Sequence, residues 1–196
     1  MLQKNEFWPS QPCIRIDDIS TKTNPERLES FLERFSMRFQ NFQILLSVSI
    51  GTILDEEEPT SERVFPPLLN AMSDYRVYFN LTELGLPNWL PEIVRKFNCK
   101  VGSHGLFHVD HRLLSREAQE ISILSSCSVL RTKIFVPPFN KYNQETMDVI
   151  QNSQLQLVIW ESGWKHLAYQ KLDQKGGNYY FHMHDFTDEQ LQSIFE

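Results

Sequence analysis

Two adjacent carboxylates stand near the start of the chain, and two histidines with helical spacing follow much later. Asp17 and Asp18 close the largely apolar stretch 13–19, whose pattern predicts a buried strand. His104 and His108 are four residues apart, which brings two imidazoles to the same side of a helical turn. One carboxylate and two imidazoles form a ligand set that suits zinc or a similar divalent ion. The second carboxylate then stands where a hydrolase needs a general base.

Neither pair is specific alone. Six histidines in 196 residues can give an i,i+4 pair by chance, and adjacent acids usually cap a helix or face solvent. The position of the acids favours function, because α/β folds place their sites at the carboxyl ends of strands. Both side chains can approach one ion if the strand alternation relaxes at its end. His111, three residues beyond His108, could compete as a ligand, but we expect it to be exposed or outside the ligand set.

Two further segments contain groups suited to catalysis. Paired prolines in the segment 135–140 stiffen the turn after an apolar strand, and such a turn can present a backbone N–H to an oxyanion. The segment 179–185 contains His182 and His184, which share a face if the segment is a strand. At least one of these two histidines is therefore predicted to line a polar site.

The elements that would position these groups alternate between short apolar runs and helical patterns. This alternation predicts an α/β fold with a mostly parallel sheet or barrel in a single domain, residues 1–196, with an irregular insertion at about 51–75. Asn24 and Pro25 predict a helix start, and the pair Thr187 and Gln190 forms a capping box. Strands are predicted at 12–16, 43–50, 76–80, 100–103, 133–136, 155–160 and 179–184, and helices from 25, at 88–98, 115–130 and 143–152, and from 187.

Composition narrows the class of protein. The net charge is −6, which disfavours nucleic acid and anionic membrane as partners. Three cysteines without a Cys-x-x-Cys pair disfavour a disulfide framework and favour a reduced compartment. The sequence has neither an apolar signal segment at its start nor an 18-residue apolar run. We therefore expect a cytoplasmic enzyme without a membrane span.

In order and type, the four segments resemble the motifs of the polysaccharide deacetylase family, the NodB homology domain. The first motif, typically Thr-Phe-Asp-Asp, is present as Arg15–Asp18, and the His-x-x-x-His motif as His104–His108. The third motif, typically Arg-Pro-Pro-Tyr, is present as Val136–Phe139, and the closing His-Asp motif as His182–Asp185. The resemblance covers about residues 12–186. It implies a distorted (β/α) barrel of about seven strands.

The resemblance also implies a role for each matching residue. Asp18, His104 and His108 would bind one divalent metal ion, with zinc expected, and Asp17 would be the base that activates the attacking water.

The same resemblance supplies an acid and an oxyanion donor. His184 would protonate the leaving amine, and we prefer it to His182 because it directly precedes Asp185, as in the family pattern. The backbone N–H of Phe139 would help to bind the oxyanion. The family's tryptophan-and-acid motif has only a loose match in the stretch 160–164.

One departure from the family pattern concerns the base. The arginine that normally contacts the base is Val136 in this chain. Arg15 and Lys141 are the nearest cations in sequence, and we expect Lys141 or a basic residue from elsewhere to take the place of that arginine. If no cation does so, a homologue that no longer turns over substrate is favoured.

The expected activity is removal of an N-acetyl group from a sugar or glycan precursor, in the manner of family members that act on intermediates of surface-glycan or O-antigen synthesis. Trp160, Trp164 and Tyr142 could supply flat faces for a sugar ring, although core packing explains such residues equally. Two alternatives stay open: a non-catalytic metal- and glycan-binding homologue, and a hydrolase of a non-sugar amide.

Overall fold

A seven-stranded parallel sheet forms the centre of the computed structural model, which describes residues 6–7, 9–53, 82–159, 163–167, 172–173 and 176–195. The sheet has the strand order β7-β6-β5-β2-β1-β9-β8 and curls into a half-barrel, which confirms the predicted fold class. The strands are β1 (Cys13–Ile19), β2 (Gln43–Val48), β3 (Gly51–Ile53), β4 (Thr82–Leu84), β5 (Lys100–Ser103), β6 (Ile134–Phe135), β7 (Gln156–Leu157), β8 (Trp164–His166) and β9 (Asn178–His182).

Strands β3 and β4 form a separate antiparallel pair that the sequence did not predict. Gly51 pairs with Leu84, so the hairpin closes around the segment 54–81. That segment contains most of the insertion predicted at 51–75 and the strand predicted at 76–80, and it lies outside the described residues.

Five helices flank the sheet in the described part of the chain. They are α1 (Pro25–Arg38), α2 (Leu90–Phe97), α3 (Arg116–Val129), α4 (Gln144–Asn152) and α5 (Asp188–Ser193). Asn24 caps α1 as predicted, because its side chain accepts a hydrogen bond from the backbone N–H of Arg27. The predicted capping box of Thr187 and Gln190 is present at the start of α5.

The two faces of β1 have different neighbours. Ile14 and Ile16 pack in the main apolar cluster beneath α1, whereas Cys13 packs in a second cluster on the opposite face. Side chains alternate along a strand, so Arg15 and Asp17 also belong to that opposite face. Both are buried, Arg15 completely. A buried cation and a buried anion on one face require each other as partners.

Among the described residues, no helix combines the length and apolar character that a membrane crossing requires.

Candidate metal centre and active site

Asp18, His104 and His108 converge at the carboxyl edge of the sheet. Asp18 is the next-to-last residue of β1, and His104 comes directly after β5, where its backbone N–H donates to the carbonyl of Val48. Asp18 Oδ1 lies 3.1 Å from His104 Nε2 and 3.0 Å from His108 Nε2. The structure therefore brings together the three side chains that the sequence predicted as metal ligands.

An irregularity in β1 turns Asp18 into the site. The pairing of β1 with β2 shifts register between Ile16 and Ile19, and Asp18 has a φ of +60°. This left-handed conformation is uncommon for a residue other than glycine, although aspartate tolerates it better than most. The irregularity relaxes the alternation by which a regular strand would point Asp17 and Asp18 to opposite sides.

Hydrogen bonding at His104 indicates what the cluster can hold. Its Nδ1 lies 2.8 Å from the carbonyl of Val136 and donates its hydrogen to it, so Nε2 is the ring nitrogen that faces Asp18 Oδ1 and can bind an ion when it carries no hydrogen. His108 Nε2 faces the same oxygen. A divalent ion can replace the hydrogens between these atoms, because ligand atoms bound to one zinc ion are roughly 3–4 Å apart. The three side chains thus fit a divalent ion, and the Val136 carbonyl orients one ligand.

The carboxyl group of Asp18 is suited to metal binding because it stays ionised. Burial alone would raise its pKa, but His108 and the contacts with His104 hold the pKa well below its usual range. A metal ligand must be deprotonated, so this direction favours binding.

Asp17 is held by a buried arginine from its own strand. Arg15 donates from Nε at 3.1 Å and from Nη2 at 2.7 Å, both to Asp17 Oδ2. Nη2 also donates to Asn140 Oδ1 at 2.8 Å, and the guanidinium lies 5.0 Å from the ring of Trp164 and 4.8 Å from that of Tyr180. The other carboxylate oxygen, Asp17 Oδ1, is buried and has no hydrogen-bond partner among the described residues.

This contact corrects one expectation from the sequence. Lys141 does not approach Asp17, and its Nζ lies 3.9 Å from Asp110 Oδ2. Arg15 takes the place of the family's third-motif arginine because residues two apart on a strand share a face. Val136 is completely buried and makes no such contact itself. The segment 135–140 that contains it still contacts the Arg15–Asp17 ion pair, because Asn140 accepts a hydrogen bond from Arg15.

Phe139 has the geometry of a constrained turn. Its φ is +56°, and its ring lies 4.5 Å from that of His108. Its N–H donates to no backbone carbonyl in the described part of the chain, although the neighbouring Asn140 and Lys141 both donate. Its role as an oxyanion donor stays a prediction.

The positions of His182 and His184 bear on which of them is the acid. His182 ends β9 in register with Asp17, and its Nε2 lies 3.8 Å from Asp18 Oδ2. His184 is 48% exposed, and its Nε2 lies 3.6 Å from Asp185 Oδ1. The geometry therefore favours His182 over His184. The sequence pattern does not indicate this difference between the two histidines. Strand β9 ends at His182, and a short 3-10 turn then breaks the alternation that would place His182 and His184 on one face.

The predicted sugar-binding aromatic residues are not brought together on a described surface. Trp160 lies outside the described residues. Trp164 is only 4% exposed and covers Arg15, so its ring is not a free face for a sugar. Tyr142 packs against the apolar cluster that contains Phe135 and Val149.

His111 supports the loop between His104 and His108 and is fully buried, so of the two expectations for it, exposed or outside the ligand set, only the second agrees with the structure. Its Nδ1–H donates to Val109 O at 3.0 Å, and its Nε2 accepts from Ser122 Oγ at 3.2 Å. The Ser122 hydroxyl in turn accepts from the Leu106 N–H. Gly105 completes this arrangement, because a Cβ there would lie 3.1 Å from His111 Cε1 at a φ of +88°.

Burial of His111 predicts a loss of stability in acid. Burial lowers its pKa from 6.5 to about 4 in the folded chain. Between these two pKa values His111 is protonated in the unfolded chain but neutral in the folded chain. The free energy of unfolding therefore decreases as pH falls from 6.5 towards 4. Between pH 7.5 and pH 5 this proton costs about 2 kcal/mol of unfolding free energy.

Urea unfolding in EDTA should show a correspondingly smaller pH dependence for His111→Gln. His184→Gln, at a largely exposed histidine, should keep the full dependence, and an unchanged slope in His111→Gln would contradict the assignment.

The half-barrel places the protein in the α/β class, with a cluster of acidic and histidine side chains at the carboxyl edge of its sheet, and solved structures identify the fold more closely. No protein-family model and no curated protein matches the chain. A family 4 carbohydrate esterase from Streptomyces lividans, solved with acetate, matches 94% of this chain and 83% of its own length at 14% identity and a TM-score of 0.54. The peptidoglycan deacetylase PdaC from Bacillus subtilis matches 96% of this chain and 82% of its own at 14% identity and a TM-score of 0.55.

A third similar structure has lost its activity. A CE4 family pseudoenzyme from Bacillus anthracis matches 96% of this chain at 12% identity and a TM-score of 0.55, and the match spans 59% of that protein. At these identities the likeness establishes the fold. The chain has the polysaccharide deacetylase fold of the CE4 family, as its motifs predicted.

Proposed function

We propose that this protein is a metal-dependent hydrolase that removes an N-acetyl group from a sugar or glycan precursor. The observation that carries the proposal is Asp17, a buried carboxylate with one oxygen held by Arg15 and the other without a described partner. It adjoins Asp18 in the Asp-His-His cluster. A general base beside a metal centre is the arrangement that amide hydrolysis requires.

Asp18, His104 and His108 would hold the ion, with zinc the expected metal. Their single carboxylate and two imidazoles leave room for water and substrate in a four-coordinate site. A bound divalent ion would polarise the acetyl carbonyl and lower the pKa of a water molecule.

The remaining groups move protons and hold charge. Asp17 Oδ1 accepts a proton from the attacking water, while Arg15 holds the carboxylate in its orientation. His182 Nε2 donates a proton to the departing amine, so the products are acetate and the free amino sugar. The backbone N–H of Phe139 would donate to the oxyanion of the tetrahedral intermediate.

The proposed substrate is an intermediate of surface-glycan or O-antigen synthesis, met in the cytoplasm. Two features support this setting. Cys13, Cys99 and Cys127 are all buried, free thiols, as expected of a protein from a reduced compartment. The similar structures include deacetylases of a cell-wall glycan.

A second candidate function is glycan binding without turnover. The similarity to a CE4 pseudoenzyme favours it. The absence of the third-motif arginine does not favour glycan binding without turnover, because Arg15 occupies the position beside Asp17.

Acetate release separates these functions. The zinc-loaded protein should release acetate from N-acetylglucosamine oligomers or nucleotide-linked N-acetylhexosamines, and Asp17→Asn should not. Release from N-acetylated peptides alone would indicate a non-sugar amide hydrolase. Glycan binding without any acetate would favour the non-catalytic homologue.

A further inference from the structure

A second group of side chains suited to metal binding lies beside the Asp-His-His cluster, at the ends of two neighbouring strands. His166 is the last residue of β8, His182 is the last residue of β9, and Asp185 lies in the 3-10 turn that follows β9. One ligand atom from each of these residues lies within 4.8 Å of the others. Two imidazoles and one carboxylate are the ligand types of the first cluster as well, and they suit zinc.

We propose that His166, His182 and Asp185 form a second, weaker site for a divalent ion, and that an ion bound there inhibits acetate release by occupying His182. The binding rests on the geometry of the group, whereas the inhibition rests on the proposed function, in which His182 is the acid. The second site would lower activity whenever zinc exceeds one ion per chain.

Asp185 Oδ2 neighbours both imidazoles of the group. It lies 2.8 Å from His182 Nδ1 and 3.6 Å from His166 Nε2. The longer distance exceeds that of a hydrogen bond, but two ligand atoms bound to one zinc ion are roughly 3–4 Å apart. An ion that replaces the hydrogen on His182 Nδ1 can therefore bind all three side chains after shifts of about 1 Å.

Arg27 holds the turn that carries Asp185. Its Nη1 donates to the carbonyl of Met183 at 2.8 Å, and its Nη2 donates to the carbonyl of Phe186. These acceptors lie on either side of Asp185 in the sequence, so one guanidinium holds the turn at both ends. The parallel pairing of β8 with β9 holds the two strands that end in the histidines. The ligands are thus in place before an ion binds, which lowers the entropic cost of binding.

The second site is open to solvent and should bind its ion more weakly than the first. The side chains of His182 and Asp185 are 25% and 35% exposed, so an ion can reach them from water. The carboxylate of the first cluster, Asp18, is only 19% exposed. An ion already bound to the first cluster also repels a second cation nearby. We therefore expect the second site to fill only when zinc is in excess.

The position of His182 decides what a second ion does. Its Nε2 lies 3.8 Å from Asp18 Oδ2, whereas the second ion would bind Nδ1, the other ring nitrogen. The ring then lies between the two ions and keeps them farther apart than the roughly 3.5–4 Å of a pair that shares one reaction. A second ion at this position is therefore not a catalytic partner of the first.

Metal binding at Nδ1 also removes the acid. To donate a proton, His182 must first be an imidazolium, with a hydrogen on each nitrogen. A ring bound to an ion through Nδ1 keeps only the hydrogen on Nε2, and the loss of that hydrogen would leave an imidazolate. An imidazolate is far harder to form than a neutral imidazole, so the departing amine would receive no proton from His182.

Zinc titration tests the second site. The dialysed wild type should hold one zinc ion per chain, and calorimetry should then detect a second, weaker ion. Filling the second site should lower acetate release from N-acetylglucosamine oligomers by at least about tenfold, because a general acid contributes roughly 10²–10⁴-fold. His166→Asn and Asp185→Asn should each keep the first ion and lose the second. Relative to its own rate with one zinc ion, neither variant should slow as zinc is raised.

His184→Asn is the matched control, because it removes a largely exposed histidine that neighbours Asp185 but does not belong to the group. It should keep the second ion. Loss of that ion in His184→Asn as well would show that exposed histidines bind it, which would overturn the proposal. So would a single zinc ion per wild-type chain at saturation, or a second ion that persists in both His166→Asn and Asp185→Asn.

The activity measurement separates the two parts of the proposal. A faster rate with the second ion bound would overturn the inhibitory role. If the wild type releases no acetate at any zinc concentration, the proposed function fails, whereas calorimetry of the three variants still tests the second metal site.

Discussion

Alanine at Asp18, His104 or His108 should reduce zinc content from one ion per chain to near zero and abolish acetate release. Each change leaves only two protein ligands, whereas a catalytic zinc site uses three. The lost ion removes both carbonyl polarisation and the lowered pKa of water, so the rate should fall by at least about 10³-fold. Metal analysis of the dialysed protein and the acetate assay measure the two effects together.

The fold should survive these substitutions. The three side chains lie at the carboxyl edge of the sheet, and His104→Ala removes contacts with Val136, Asp18 and the ring of His108. Circular dichroism should therefore be unchanged at 25 °C. His184→Ala is the control, because this largely exposed histidine should be dispensable for zinc binding. Stoichiometric zinc in His104→Ala with wild-type affinity would contradict the ligand assignment.

Local signals in the sequence were sufficient for much of the fold. The cap at Asn24 and the box at Thr187 each satisfy backbone N–H groups within three residues, so their effect does not depend on distant parts of the chain. The order of the four polar segments likewise predicted which strand ends would meet, because parallel strands bring their carboxyl ends to one edge.

The details that local pattern does not supply depend on strand ends and on contacts across the sheet. His184 was preferred because of its neighbour Asp185, but where β9 stops decides which histidine faces Asp17, and local pattern does not fix a strand end. The short strand β8 and the hairpin of β3 and β4 were missed because each has only three residues, too few for a period to be read.

The contact between Arg15 and Asp17 is predictable from the sequence. The spacing of Arg15 from Asp17 places both side chains on one strand face, and a buried arginine needs an anion. The contribution of Asn140 could not be found in this way, because 125 residues separate it from Arg15 and only the folded sheet brings them together.

Replacing Arg15 by methionine should reduce acetate release by at least about 10²-fold, with zinc retained. Methionine has a similar length, so it fills the space between Trp164 and Tyr180 but leaves Asp17 without its cation. A buried carboxylate that loses the cation hydrogen-bonded to it should also destabilise the fold, by about 3–5 kcal/mol. Lys141→Met is the matched control: it makes the same kind of change at the cation that contacts Asp110, and activity should stay near the wild-type value.

A double-mutant cycle tests whether Arg15 acts through the base. If Arg15 serves only to hold Asp17 as an oriented anion, Asp17→Asn removes the benefit, and adding Arg15→Met should lower the rate no further. The double variant should also unfold at higher urea than Arg15→Met alone, because it no longer buries an unpaired carboxylate. Independent losses of rate that multiply in the double variant would show that Arg15 contributes by another route, such as contact with the substrate. Full activity in Arg15→Met would mean that the base needs no cation, and the relocated arginine would then be a packing feature of the half-barrel.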